Sequence, residues 1–154
     1  MTMLASEVLE ALRGRTLVTA ESLTGGGIGA ALTAVPGASE VYRGGVISYT
    51  NWVKDNILGV DGYILDQFGA VSRPTAQAMA AGVRRLMQAD VAVSVTGLAG
   101  PGGDEFGNPV GTVFIGYEDE NCAEVRCCLF KGTRDQIRTQ TIEAALNLIL
   151  AHNP

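Results

Sequence analysis

The chain has 154 residues, of which 47% are hydrophobic and 18% charged, with a net charge of -5 and a pI near 4.8. This balance is that of an ordinary globular core and excludes a disordered or fibrous chain; a domain of this size buries roughly 70% of the surface its unfolded chain exposes. An acidic surface argues against nucleic acid and anionic membrane as main partners, because phosphate binding needs clustered basic groups.

The N-terminus, Met1-Thr2-Met3-Leu4, lacks the basic-then-apolar order of a secretion signal, and no apolar run approaches the roughly 20 residues of a membrane helix. A cytoplasmic protein folding as one domain over residues 1–154 is expected. From residue 3 to 13, Leu4, Val8, Leu9 and Leu12 recur at helical spacing, and Thr16 to Ala20 then reads as a short buried strand. Thr24 is placed to cap a helix running from glycines 25–27 through Leu32 to a stop at Pro36-Gly37, so Ser22 falls at a strand-to-helix turn.

Gly44 to Tyr49 predicts a second strand, followed by a helix capped by Asn51 and ended near Gly59, which brackets Tyr49 and Lys54 around another strand-to-helix junction. A short segment at Ile64 to Phe68 leads to Pro74, suited to the first turn of a helix that presents Met79, Val83 and Leu86, and Val91 to Val95 follows as a third strand. Gly97 to Pro109 holds five glycines and two prolines in thirteen residues, which predicts a long loop facing a ligand as a lid. Gly111 to Tyr117 and Ala123 to Phe130 read as a hairpin across the acidic turn 118–121, and Arg134 to Ala151 as a closing helix. The order is that of a layered α/β sheet with one antiparallel hairpin, without repeat or linker.

Three positions in this order have chemical interest. Ser22 lies beside backbone N–H groups around Gly25 and Gly26 that can hold a developing oxyanion, although Glu21, Ser22 and Thr24 are equally the pattern of a plain helix cap. Lys54 falls near the third position of its helix, where the positive end of the dipole lowers a lysine pKa, and a neutral lysine can take a proton from serine. Tyr49 can relay that proton or hold the hydroxyl; the bland alternative is a surface lysine beside a rim tyrosine. Thr96 ends the third strand, where open α/β sheets bind ligands, and its alternative is a strand-end hydroxyl satisfying the loop. Arg134 and Arg138, one helical turn apart, either grip a phosphate together or form a solvated helix start.

The remaining candidates point elsewhere. Cys122, Cys127 and Cys128 form neither a disulfide framework nor a CxxC motif, so buried reduced thiols are expected. Asp104 and Glu105 have no His or Cys partner nearby for a metal, and His152 reads as an exposed tail residue, which leaves no Ser-His-Asp triad. Gly25, Gly27 and Ala30 give only a weak G-x-G-x-x-A echo of a dinucleotide site.

Read together, the motifs resemble the CinA C-terminal domain family, which includes stand-alone nicotinamide-nucleotide amidases. The blocks that carry the resemblance are Thr19 through Gly26 (TAESLTGG), Gly44 through Lys54 (GGVISYTNWVK), Gly69 through Ser72 (GAVS), and Ser94 through Pro101 (SVTGLAGP) leading into Pro109 through Val113. With the segment Gly132-Thr133-Arg134 they span nearly the whole chain.

The resemblance implies an α/β fold, a three-layer α/β/α sandwich with a mixed sheet, and hydrolysis of the carboxamide of nicotinamide mononucleotide to nicotinate mononucleotide and ammonia. By the same resemblance the nucleophile corresponds to Ser22 and its proton-handling partners to Tyr49 and Lys54, with Gly25, Gly26, Thr96 and Arg134 contacting substrate. No metal or organic cofactor is implied, and the expected partners are a small nucleotide substrate and a second copy in a homodimer. Leu23 stands where the family usually has cysteine and is expected to point into the core; the absence of the family's large amino-terminal domain fits the stand-alone amidases. Two other readings stay open: a nucleotide-binding, competence- or damage-associated protein that performs no hydrolysis, and an amidase for another small substrate.

Overall fold

Two apolar faces on one sheet determine the architecture. The computed structural model describes residues 1–154, in the order α1 (Thr2–Ala11), β1 (Leu17–Glu21), α2 (Gly27–Thr33), a 3-10 turn at Ala38–Glu40, β2 (Tyr42–Ile47), α3 (Asn51–Asn56), α4 (Gly62–Phe68), α5 (Arg73–Met87), β3 (Val91–Gly97), β4 (Thr112–Glu118), β5 (Ala123–Leu129) and α6 (Arg134–His152). The strands form one sheet in the order β2-β1-β3-β4-β5. β1 is parallel to both β2 and β3, whereas β4 and β5 each run antiparallel to the strand before them.

Side chains alternate between the faces of a strand, and here both faces are apolar. Leu17, Val91, Val93 and Val95 join a large core with Ile28, Leu32, Leu146 and Ile149 from α2 and α6, against which α1 also packs. Val18, Ala20 and Ala92 face the other way, into a second core with Leu58, Val60, Met79 and Val83. The result is the expected three-layer α/β/α sandwich with a mixed sheet, and no helix is long and apolar enough to cross a membrane.

Several helix ends follow the sequence signals. Pro74 sits in the first turn of α5 behind Ser72, whose Oγ accepts from the Thr75 N–H at 3.3 Å. Thr133 and Gln136 form a reciprocal capping box at the start of α6. Others depart from expectation. Asn51 begins α3 rather than capping it, since the N-cap is Thr50, which makes no side-chain bond to the helix. Thr24 does not cap α2; its hydroxyl donates to Glu21 at 2.6 Å instead.

The glycine-rich segment after β3 is organised by one side chain. Asp104 accepts from the N–H groups of Phe106 and Asn108, both at 3.0 Å, and from Asn108 Nδ2 at 2.9 Å, and Asn108 also donates to the Val71 carbonyl at 3.1 Å. His152 is not a free tail residue: its ring stacks on Tyr117 with centroids 4.2 Å apart, and Nε2 lies 2.6 Å from Glu124 Oε1. The thiols also differ from expectation: Cys122, in the turn before β5, is exposed, and on β5, an edge strand, Cys127 is exposed and Cys128 half-buried.

Close packing of α5 against the segment that follows α3 depends on Gly82. A Cβ there would lie 2.0 Å from the Leu58 carbonyl oxygen, a backbone atom that cannot swing aside. Alanine gains about 1 kcal/mol of helix propensity, but overpacking of this kind costs about 1–3 kcal/mol or more. Gly82→Ala is therefore expected to lose stability, by about 2 kcal/mol in urea denaturation, and an unchanged or higher midpoint would show that the segment yields.

Candidate active site

The carboxyl ends of β1, β2 and β3 meet at one edge of the sheet, and their register decides what is found there. Glu21 is paired with Ile47 on β2 and with Val95 on β3. The ladder continues one step further: the Ser48 N–H donates to the Glu21 carbonyl at 2.8 Å and the Ser22 N–H to the Val95 carbonyl at 3.0 Å. Three hydroxyl residues, Ser48, Ser22 and Thr96, therefore stand side by side at the same level, following Val46, Ala20 and Ser94 on the face toward α3 and α5. Thr96 Oγ1 donates to the Ala70 carbonyl at 2.7 Å.

Lys54 reaches this row from α3. Its side chain is only 1% exposed, and Nζ lies 3.1 Å from Ser22 Oγ, 2.8 Å from the Ser48 carbonyl oxygen and 3.5 Å from that of Tyr49. Burial, which disfavours the charged form, pulls its pKa down to about 8. The lowering anticipated from the sequence is thus present, but desolvation is its cause and not the dipole of a helix of six residues.

Ser22 itself is placed by the residue before it. Alternation sends the Glu21 side chain to the opposite face, where it is 2% exposed and accepts from the N–H groups of Ile28 at 2.8 Å and Gly29 at 3.0 Å as well as from Thr24 Oγ1. It caps α2 from outside the helix, a favourable place for a carboxylate. Between carboxylate and helix the chain turns through Gly25 and Gly26, whose φ of 60° and 102° suit glycine. Leu23 packs into the larger core, as its apolar character predicts.

A cavity of about 310 Å³ opens over this edge, lined by Ser22, Leu23, Tyr49, Asn51, Lys54, Thr96 and Arg134 and by the segment from Gly97 to Gly102. Five of the sequence candidates, Ser22, Tyr49, Lys54, Thr96 and Arg134, are brought together there. Tyr49 is 58% exposed and its hydroxyl accepts from Arg134 Nη2 at 3.3 Å, so it stands at the rim facing Arg134 while Lys54 touches Ser22. Arg134 also donates to the Gly100 carbonyl.

Three other candidates are placed elsewhere. Gly25 and Gly26 do not line the cavity: the Gly25 N–H is spent on the Ser22 carbonyl at 3.1 Å, and Gly26 borders a separate groove beside Tyr42. Arg138 turns away from Arg134 and donates to the carbonyls of Leu23 at 3.0 Å and Thr24 at 3.3 Å, so it braces the turn after Ser22. Sequence reasoning missed Ser48 and gave Glu21 only a local capping role; the run Glu21-Ser22 at the end of an alternating strand was the available signal, since it must split two polar groups between two faces.

Comparison with known proteins places this geometry in context. The sequence matches the family model of the CinA C-terminal domain over residues 1–152. It is 46% identical over 147 residues to a CinA-like protein of Prochlorococcus marinus (strain MIT 9313), a match covering 94% of this chain and 34% of that protein. The chain thus spans about a third of the length of the curated relatives it matches. Among solved structures, the competence/damage inducible protein CihA from Agrobacterium tumefaciens superposes with a TM-score of 0.95 at 39% identity, over 99% of this chain and 95% of that one. A CinA superfamily protein from Klebsiella pneumoniae 700603 gives 0.94 at 35% identity, covering 98% of both chains.

The Glu21 cap predicts its own test. Glu21→Gln keeps the shape but offers one acceptor oxygen where four donors, with Thr19 Oγ1 at 3.4 Å the most distant, converge, so a loss of about 2–4 kcal/mol is expected in chemical denaturation. A variant as stable as the parent would show that the carboxylate does not hold the start of α2.

Proposed function

Because the chain belongs to the CinA C-terminal domain family, we propose that its cavity hydrolyses a small carboxamide through an acyl-enzyme on Ser22, with nicotinamide mononucleotide as substrate. The observation that carries this reading is the buried amine of Lys54, 3.1 Å from a hydroxyl at the mouth of a cavity, with its pKa lowered to about 8. About a tenth of such a lysine is neutral at pH 7, against well under a thousandth of an ordinary one.

In the proposed reaction Ser22 Oγ attacks the amide carbon while its proton passes to Lys54 Nζ. The resulting oxyanion needs donors, and the N–H of Leu23 is suited to be one, because it follows the nucleophile, borders the cavity and has no acceptor within the chain. Lys54 returns the proton to the departing nitrogen, which leaves as ammonia. Water then adds to the acyl-enzyme, giving its proton to Lys54, which passes it to Ser22 Oγ as the C–O bond breaks; the acid product leaves as carboxylate, its own proton going to solvent. Arg134, at the rim on the first turn of α6, supports recognition of the substrate phosphate by charge-assisted hydrogen bonds. Tyr49 holds that arginine through its hydroxyl.

Ammonia release from nicotinamide mononucleotide tests the reading. Ser22→Ala and Lys54→Met are each expected to reduce it by at least about a thousandfold while the proteins stay folded. Because Lys54 must be neutral to accept a proton, kcat/KM is expected to rise with pH and level off above about 8. A folded parent that binds the nucleotide and releases no ammonia would turn the reading to a non-hydrolytic binding protein.

A second measurement concerns the substrate class. Arg134→Ala is expected to raise KM for the nucleotide by more than about tenfold and to leave kcat within a few-fold. An equal KM in parent and variant would remove the phosphate from the recognition scheme.

A further inference from the structure

Ser48 is fully buried, and its Oγ is the one buried side-chain oxygen or nitrogen in the chain without a hydrogen-bond partner. Leaving a hydroxyl in that condition is unfavourable, and alanine would remove the unpaired group. The residue is also not in a neutral place. Its N–H holds the carbonyl of Glu21, immediately before Ser22, and its carbonyl oxygen holds Lys54 Nζ at 2.8 Å. The register sets it directly beside Ser22, on the same face of the sheet.

We propose that Ser48 is a positioning residue for Lys54, its hydroxyl serving as an acceptor that the lysine takes up when it carries the proton of Ser22. The inference rests on the reading of Ser22 and Lys54 given above. An ammonium has three N–H groups to place. Ser22 Oγ and the Ser48 carbonyl accept two, and the third finds only the Tyr49 carbonyl, at 3.5 Å. Once Ser22 Oγ is bonded to an acyl carbon it becomes a poorer acceptor, and the ammonium, only 1% exposed, is left short of partners within the chain.

One turn of χ1 between staggered positions moves the Ser48 hydroxyl among its three possible directions, on a residue that already touches Nζ. A hydrogen bond to a charged donor is roughly twice as strong as one to a neutral donor, so this contact favours the ammonium over the amine. The proton count is simple: Ser22 loses one proton to Lys54, Lys54 passes it to the leaving group, and Ser48 neither gains nor loses one. The other titratable groups sharing the cavity with Lys54 are Tyr49, from the segment after β2, and Arg134, from α6, and these two are paired with each other.

The test uses a small neutral fluorophosphonate, with labelling of Ser22 followed by intact mass between pH 6 and 10 for the parent, Ser48→Ala and Ser48→Cys. In this reaction the Ser22 Oγ–P bond forms, the P–F bond breaks, fluoride leaves and the serine proton goes to Lys54. The cysteine variant fills the space of the hydroxyl but is a weak acceptor, so it separates hydrogen bonding from packing. Both variants are expected to melt at or above the parent temperature, to show the ionisation that governs labelling about half to one pH unit lower, and to label roughly three- to tenfold more slowly at the plateau. Parent-like profiles in both variants would overturn the proposal, and so would a lower melting temperature with an unmoved ionisation. Failure of the parent itself to label at Ser22 at any pH would bring down the reading of the site, and this inference with it.

Discussion

The constraint on which this edge of the molecule depends is the burial of one amine. Lys54 is closed off from water, yet its Nζ must still find acceptors, and it finds them in the chain itself: a serine hydroxyl and the carbonyl oxygens of Ser48 and Tyr49. The two carbonyls precede Lys54 in its own segment, and the hydroxyl comes from the end of the adjacent strand, so the observed register of β1 and β2 supplies the one acceptor that is not local. A slip of β1 by one residue would turn Ser22 to the opposite face and leave the amine with the two local carbonyls alone. The apolar pattern of the strands and the needs of the lysine thus select the same arrangement.

A second dependence lies on the other face of β1. Glu21 and Ser22 are consecutive, and alternation sends them to opposite sides of the sheet. The carboxylate enters the layer of α2 and gathers two helix N–H groups and the Thr24 hydroxyl; the serine enters the cavity. The turn between strand and helix is therefore anchored at both ends, by Glu21 beneath it and by Arg138, which holds the Leu23 and Thr24 carbonyls from α6. A reactive position must be held within a fraction of an ångström to be useful, and here the holding is done by groups that do not face the cavity.

How much of this could be read beforehand follows from the range of each interaction. The strands, the helix started by Pro74, the helix start at Arg134 and the position of Ser22 at a strand-to-helix turn all depend on neighbours within a few residues, and the sequence displays them. Family motifs located Tyr49, Lys54, Thr96 and Arg134, which the fold does collect around one cavity. Illegible were the contacts made across the fold. That Arg138 serves the turn 115 residues before it and that His152 stacks on Tyr117 depend on how the layers meet, whereas a capping role for Glu21 is part of the local sequence pattern. The pKa of Lys54 illustrates the difference. Position in a helix suggested the correct direction, while the cause, burial under the sheet edge, is a tertiary property. The expectation for the cysteines failed for a related reason: thiol burial was inferred from residue type, and only the strand order shows that β5 is an edge.

The distribution of charge bears on how an acidic protein can take the proposed anionic substrate. β4 runs antiparallel to β3, with Thr112 near the cavity and Glu118 paired to Ala92 at the far end of that strand. The acidic turn of Glu118, Asp119 and Glu120, with Glu124 behind it, therefore sits at the opposite end of the sheet from Ser22. Strand rise puts the two ends roughly 17–20 Å apart, about twice the screening length in physiological salt. Part of the acidic charge is also engaged locally, by Arg15 on Glu120, Arg84 on Glu118 and Arg126 on Glu124. Near the cavity, Asp135 leans toward Arg138 at 3.7 Å. The cationic groups that line the cavity are Arg134 and Lys54, so an incoming phosphate meets positive charge locally although the net charge of the chain is -5.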